Sequence, residues 1–198
     1  MNAFHLALPL LVAATQLAGQ DARLKSRLAS EAFRSVQLLV DSARSSGLPT
    51  EPLIQKALEG QSKSAPGDRI VGAVRLMLES LRQSRVALGQ QSNSEELIAG
   101  ANAFRAGATP ATVSALRRQR GRDVTVPLSV LTDLVARGVT AAAAARAVNA
   151  MVDQGVSDRD ILLLRTRIEE DIRSGVTPGA ALDRRLSGLP AAASPRRP

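Results

Sequence analysis

The stretch Gly107-Ala108-Thr109-Pro110 and its later copies decide the fold of the C-terminal half of this chain. The copies are Gly138-Val139-Thr140-Ala141, Gly155-Val156-Ser157-Asp158 and Gly175-Val176-Thr177-Pro178. Each copy follows a segment that is compatible with a helix and begins another such segment. We call this four-residue pattern a joint.

Every position of a joint has a physical role at the boundary between two helices. Glycine adopts the left-handed backbone that ends a helix, and the apolar residue after it completes a Schellman motif. Thr or Ser then offers an oxygen to the unpaired amides of the next helix. Pro or Asp suits the first helical position. We therefore assign structural roles to eight residues: Gly107, Thr109, Gly138, Thr140, Gly155, Ser157, Gly175 and Thr177.

The spacing of the joints predicts an array of short helices. Successive glycines at 107, 121, 138, 155 and 175 lie 14, 17, 17 and 20 residues apart. Segments this short cannot bury an apolar face alone, so their stability must come from stacking on neighbours, as in helical repeats. The sequence thus predicts an all-α fold of about nine helices. Its C-terminal half is an irregular array that is either solenoid-like or compact.

Upstream of the joints, apolar periodicity predicts longer helices. One helix is expected over Asp21–Arg44 and another over Asp68–Leu88. Asn93 and Glu96 have the spacing of a capping box at the start of the next helix. A later helix is expected to begin at Pro127.

The two ends of the chain differ in composition from its middle. Leu6 to Leu17 is an apolar run, followed by small residues and a polar start at Gln20, which is typical of a secretory signal peptide over residues 1–19. The alternative is a buried or amphipathic N-terminal helix, since the run lacks a preceding Lys or Arg. We expect a single helical domain over 20–188, with longer helices in 20–93 and repeat-like ones in 94–188. A disordered basic tail is expected over 189–198.

The side-chain inventory limits catalytic chemistry. The chain of 198 residues contains no Cys, Trp or Tyr, and its one histidine, His5, lies within the predicted signal peptide. Metal sites of His or Cys and His-dependent nucleophilic triads are therefore excluded from the processed chain. No phosphate-binding glycine motif is present. We expect no catalytic residue, no cofactor and no bound metal.

Carboxylates remain the only candidates for catalysis or cation binding. The run Glu169-Glu170-Asp171 and the pair Asp158 and Asp160 belong to one predicted helix. Consecutive helical positions point in different directions, so the three acids of the run cannot converge on one ion. A solvated face with N-terminal capping is the preferred interpretation.

The basic residues suggest a binding surface. The net charge is +8, carried mainly by arginine, and such a balance attracts anionic partners. The densest basic cluster, a candidate for anion contact, consists of Arg117, Arg118, Arg120 and Arg122. The competing explanation is that Arg near a helix C-terminus favours the negative end of the helix dipole. Nucleic acid is a weak candidate, because the chain has few aromatic side chains for base stacking.

Three functional hypotheses follow from the sequence. The first is a non-enzymatic, periplasmic or secreted protein that binds or scaffolds an unidentified protein or peptide partner. The second is a binder of anionic surfaces, either lipid headgroups or nucleic acid, through its Arg-rich patches. The third is an enzyme that uses carboxylates alone. No transmembrane helix is expected in the processed chain.

Overall fold

The computed structural model describes Leu24 and residues 28–121 and 123–188. Within these residues all regular structure is helical, and the predicted all-α fold of about nine helices is confirmed. The helices are α1 (Ser30–Ser45), α2 (Glu51–Ser62), α3 (Gly67–Leu88), α4 (Ser94–Arg105), α5 (Pro110–Arg120), α6 (Thr125–Ala136), α7 (Ala141–Asp153), α8 (Asp158–Arg173) and α9 (Pro178–Ser187). The predicted signal peptide, with His5, and the tail from 189 onward lie outside the described residues.

The chain divides into two compact units, with the boundary between Glu79 and Ser80, inside α3. In the first unit α1 packs against α2. The start of α3 also lies close to α1, since a Cβ atom on Gly67 would be only 3.1 Å from the Cβ atom of Ala32. The second unit contains all four joints.

The predicted continuous helix over Asp21–Arg44 is interrupted at Leu28 and Ala29; Leu24 is helical as predicted, and residues 21–23 and 25–27 lie outside the described residues. Leu28 forms a bend and Ala29 has extended backbone angles, so α1 begins at Ser30. Glu31 then falls in the first turn, where a carboxylate is favoured by the positive end of the helix dipole. The helix expected from Pro127 begins two residues earlier, at Thr125, and Pro127 occupies its first turn. Proline is tolerated there because that amide has no partner within the helix.

The joints have the backbone that the sequence predicts. At Gly138, φ is 92°, the Gly138 amide donates to the Val135 carbonyl at 2.9 Å, and the Val139 amide donates to the Leu134 carbonyl at 3.1 Å. This pair of bonds defines a Schellman motif. The same pair of bonds recurs at Gly107, Gly155 and Gly175, and also at Gly47 in the first unit.

The capping residues agree with the prediction at three joints of four. The hydroxyl oxygens of Thr109, Thr140 and Ser157 each accept the backbone amide three residues on, at 3.2–3.3 Å. Thr177 occupies the N-cap position, but its side chain accepts no hydrogen bond there. Gly121 ends α5 differently, with a left-handed φ of 61° and a single bond from its amide to the Arg117 carbonyl. Gly121 thus directly follows the last residue of α5, whereas in a joint one residue separates the helix from the glycine.

The helices of the second unit form two rows. Helix α6 packs against α4 and α8, while α7 packs against α5 and α9. Further contacts join the rows within the pairs α4–α5, α6–α7 and α8–α9. Each helix thus packs on the helix two places along the chain, which is the stacking of a two-helix repeat. The aliphatic core between the rows includes Leu116, Leu128, Leu131, Leu134, Met151 and Ile161, all fully buried.

Two joints also interlock neighbouring repeats. A Cβ atom on Gly107 would lie 3.3 Å from the Cβ atom of Ala141, the first residue of α7. A Cβ atom on Gly138 would lie 3.2 Å from Cγ of Pro178, the first residue of α9. Gly107 follows α4 and Gly138 follows α6, so the two glycines occupy equivalent positions in successive two-helix repeats, 31 residues apart. At Gly155 the corresponding space is open.

None of the helices in the described part of the chain is both long enough and apolar enough to cross a membrane.

Candidate functional site: the charged cleft between α6 and α8

An open cleft of about 370 Å³ lies between α6 and α8, in the row formed by α4, α6 and α8. Its walls bring together four charged side chains beside an exposed alanine: Asp133, Ala136, Arg137, Arg165 and Glu169. A larger open cleft, of about 530 Å³, lies in the first unit and is lined by the starts of α1 and α3. We consider the α6–α8 cleft the better candidate because its charged side chains interact with one another.

The four charges are paired unequally. Arg165 Nη1 donates to Asp133 Oδ2 at 2.8 Å, a normal charge-assisted hydrogen bond. Glu169 Oε1 lies 3.6 Å from Arg137 Nε and 3.8 Å from Arg165 Nε, both too far for hydrogen bonding. Arg165 Nε is buried and has no hydrogen-bond partner. Two guanidinium groups therefore flank one carboxylate oxygen without bonding to it.

Helix geometry explains why these residues meet. Asp133 and Arg137 are four residues apart at the end of α6, and Arg165 and Glu169 are four apart on α8. Each pair therefore lies on one helix face. Packing of α6 against α8 turns the two faces toward each other, and the shortest ion pair then crosses between the helices. From sequence alone, each pair predicts only an ordinary intrahelical contact.

In the structure, the arginines of the predicted basic cluster do not share one partner. Arg117 Nη1 donates to Glu96 Oε1 at 2.5 Å. The Arg120 side chain is only 4% exposed and pairs with Asp158 at the start of α8. Arg118 is exposed, and Arg122 lies outside the described residues. Two of the four arginines therefore bind carboxylates of the protein itself.

Glu96 is the buried polar centre that sequence analysis found only in part. The predicted capping box is confirmed: the Asn93 side chain accepts the Glu96 amide, and Glu96 Oε2 accepts the Asn93 amide. In addition, Glu96 Oε1 accepts the Val124 amide at 3.2 Å and the Arg117 guanidinium. With its side chain 3% exposed, Glu96 joins the start of α4, the end of α5 and the corner before α6.

The acidic run on α8 separates as helix geometry requires. Glu169 faces the α6–α8 cleft, Glu170 is exposed, and Asp171 accepts two hydrogen bonds at 2.7 Å from Arg185 of α9. Ser157 and Asp160 form the expected cap of α8. Among the described residues no group of three acidic or histidine side chains is arranged to hold a metal ion.

We expect Asp171 to make the stability of the second unit depend on pH. Hydrogen bonds from Arg185 lower the pKa of Asp171 below its usual range, against the opposing effect of burial. A lowered carboxyl pKa in the folded state adds stability that is complete above the unfolded pKa of about 3.9 and disappears as pH falls through the folded value. We expect urea denaturation to give a lower stability for Asp171→Asn than for the natural chain at pH 7, and this difference should shrink below about pH 4. A pH-independent difference would contradict the role of the Asp171 charge.

Among the described residues of the first unit, the strongly shifted pKa of Glu59 needs no functional explanation. Hydrogen bonds from Lys56 and Lys63 lower the pKa of Glu59 to about 2. All three residues lie along α2 and its C-cap at spacings of three and four, where opposite charges stabilise a helix. The shift therefore reflects a surface ion-pair cluster.

Fold and site together define the class of this protein: its described residues are all-α, and its second unit is an array of paired helices with a charged cleft between two of them. Comparisons with family models, with curated proteins and with solved structures find no match to the chain.

Proposed function

We propose that this protein is a non-catalytic binding module, exported from the cell, whose second unit holds a segment of a partner protein or peptide. The two-row stacking of α4–α9 is the observation that supports this most directly. Stacked helical repeats present grooves between successive helices of a row, and these grooves suit extended partners. The α6–α8 cleft is such a groove, walled by two helices that pack on the same core.

Two features of the sequence support the remaining parts of the proposal, which are export and the lack of catalysis. The apolar run from Leu6 to Leu17 supports export. The lack of Cys, Tyr and Trp, with His5 as the one histidine, favours binding over catalysis. Binding of an anionic surface by Arg117 and Arg120 has less support, because both side chains already hold carboxylates.

Site-specific photo-cross-linking tests which row of helices meets the partner. A photoreactive amino acid at Ala136, which is exposed beside the cleft, is expected to capture the partner in the cells that make the protein. The matched control is the same amino acid at Gln119, which is exposed on α5 in the other row. Equal capture at both positions, or capture at Gln119 alone, would contradict the proposal. N-terminal sequencing of the recovered protein tests removal of residues 1–19.

A further inference from the structure

The arrangement around Glu169 resembles a carboxylate-binding site that the protein fills with its own side chain. Arg137 Nε and Arg165 Nε both lie near Glu169 Oε1, at 3.6 and 3.8 Å. Neither donor reaches hydrogen-bonding distance, and the Arg137 side chain is 55% exposed. Arginine donors that converge on one point bind planar oxyanions well. The interaction of Glu169 with both arginines is thus weak enough for another acid to compete.

The charges of the cleft favour a carboxylate over a phosphate. The two arginines are balanced by Glu169 and by Asp133, which is hydrogen-bonded to Arg165. While Glu169 and Asp133 both stay at the cleft, its four charges cancel, so the second charge of a phosphate dianion gains no net attraction there and still loses its hydration. The cleft of about 370 Å³ is at the small end of ligand sites, which suits one acidic side chain with its backbone.

The charge of the whole chain favours an acidic protein segment as the source of that carboxylate. A net charge of +8 attracts acidic partners and raises their rate of encounter. Nucleic acid fits less well, because stacking on bases needs aromatic side chains and the chain has no Trp or Tyr.

We infer that the α6–α8 cleft binds a carboxylate side chain of an acidic peptide segment through Arg137 and Arg165, in competition with Glu169. This inference rests on the proposed function and adds the chemistry of the partner. A ligand must outcompete the Glu169 carboxylate, so a segment with several acidic side chains is expected to bind better than a segment with one. The competition also predicts opposite effects on affinity for replacing Arg137 and for replacing Glu169.

Fluorescence anisotropy with a short labelled oligoglutamate peptide and the full chain tests the inference. We expect Arg137→Gln to weaken binding roughly tenfold, the usual effect of losing a hydrogen bond to a charged group. Glu169→Gln is expected to strengthen binding several-fold, because it removes the competing charge. The matched control is Arg118→Gln, which makes the same charge change on an exposed arginine of α5 and should leave affinity unchanged. Circular dichroism melting confirms that each variant is folded.

Opposite shifts for Glu169→Gln and Arg137→Gln, with Arg118→Gln unchanged, would support the inference. Equal weakening by Arg137→Gln and Arg118→Gln would overturn it, since binding would then follow net charge. So would weaker binding by Glu169→Gln, or cleft-dependent binding of an RNA oligonucleotide or anionic lipid vesicles in place of the peptide. If the peptide fails while cross-linking at Ala136 still captures a partner, the inference falls and the proposed function stands. If cross-linking at Ala136 also captures no partner, both the inference and the proposed function are wrong.

Discussion

Replacing Glu96 with alanine is expected to lower the free energy of unfolding by about 3–5 kcal/mol, the usual cost of removing one partner of a buried ion pair. Glu96 is 2% exposed and accepts hydrogen bonds from the Asn93 amide, the Val124 amide and the Arg117 guanidinium. Its loss leaves two backbone amides without their acceptor and removes the buried carboxylate that pairs with the Arg117 guanidinium. The three helices that meet there, α4, α5 and α6, all contribute to the core of the second unit.

Urea denaturation of Glu96→Ala measures this effect. The matched control is Glu95→Ala, which removes an exposed carboxylate from the same turn of α4 and should cost no more than about 0.5 kcal/mol. The double variant Glu96→Leu with Arg117→Leu is expected to recover part of the loss, because both charges of the pair are then replaced by apolar side chains. A Glu96→Ala variant as stable as Glu95→Ala would contradict a buried role for this carboxylate.

The joints could be read from sequence because all their hydrogen bonds are local. The Schellman bonds at Gly138 join residues at most five positions apart, and the cap at Thr140 reaches three residues on. Residue type therefore determines the structure with little help from the rest of the chain. The interruption at Leu28 and Ala29 cannot be read from the sequence, since apolar periodicity continues through it while the helical backbone does not.

The candidate site could not be predicted because it depends on which helices stack. The arginines from Arg117 to Arg122 are neighbours in sequence, yet the partners of Arg117 and Arg120 lie 21 and 38 residues away. The cleft joins Asp133 to Arg165 across 32 residues. Helix periodicity gives the face on which each residue lies. It does not give the neighbour of that face, which follows from the i to i+2 packing of the helices.

Replacing Gly138 with valine is expected to destabilise the second unit by roughly 2–5 kcal/mol, from a strained backbone and an overpacked contact. The φ angle of 92° at Gly138 is unfavourable for any residue with a Cβ atom, and most of all for a β-branched one. The added Cβ atom also lies 3.2 Å from Cγ of Pro178, at the first residue of α9. The Pro178 side chain must then give way by a few tenths of an ångström.

Gly155→Val separates the two contributions. Gly155 also has a left-handed backbone, with φ of 69°, but no atom lies near the position of an added Cβ. The expected loss there is the backbone term alone, roughly 1–2 kcal/mol. Thermal melting and urea denaturation of both variants measure the difference. Unchanged melting temperatures in both would contradict the role of the joints. Equal losses would mean that Gly138 ends a helix without interlocking with the next repeat, since contact with Pro178 is the feature that Gly155 lacks.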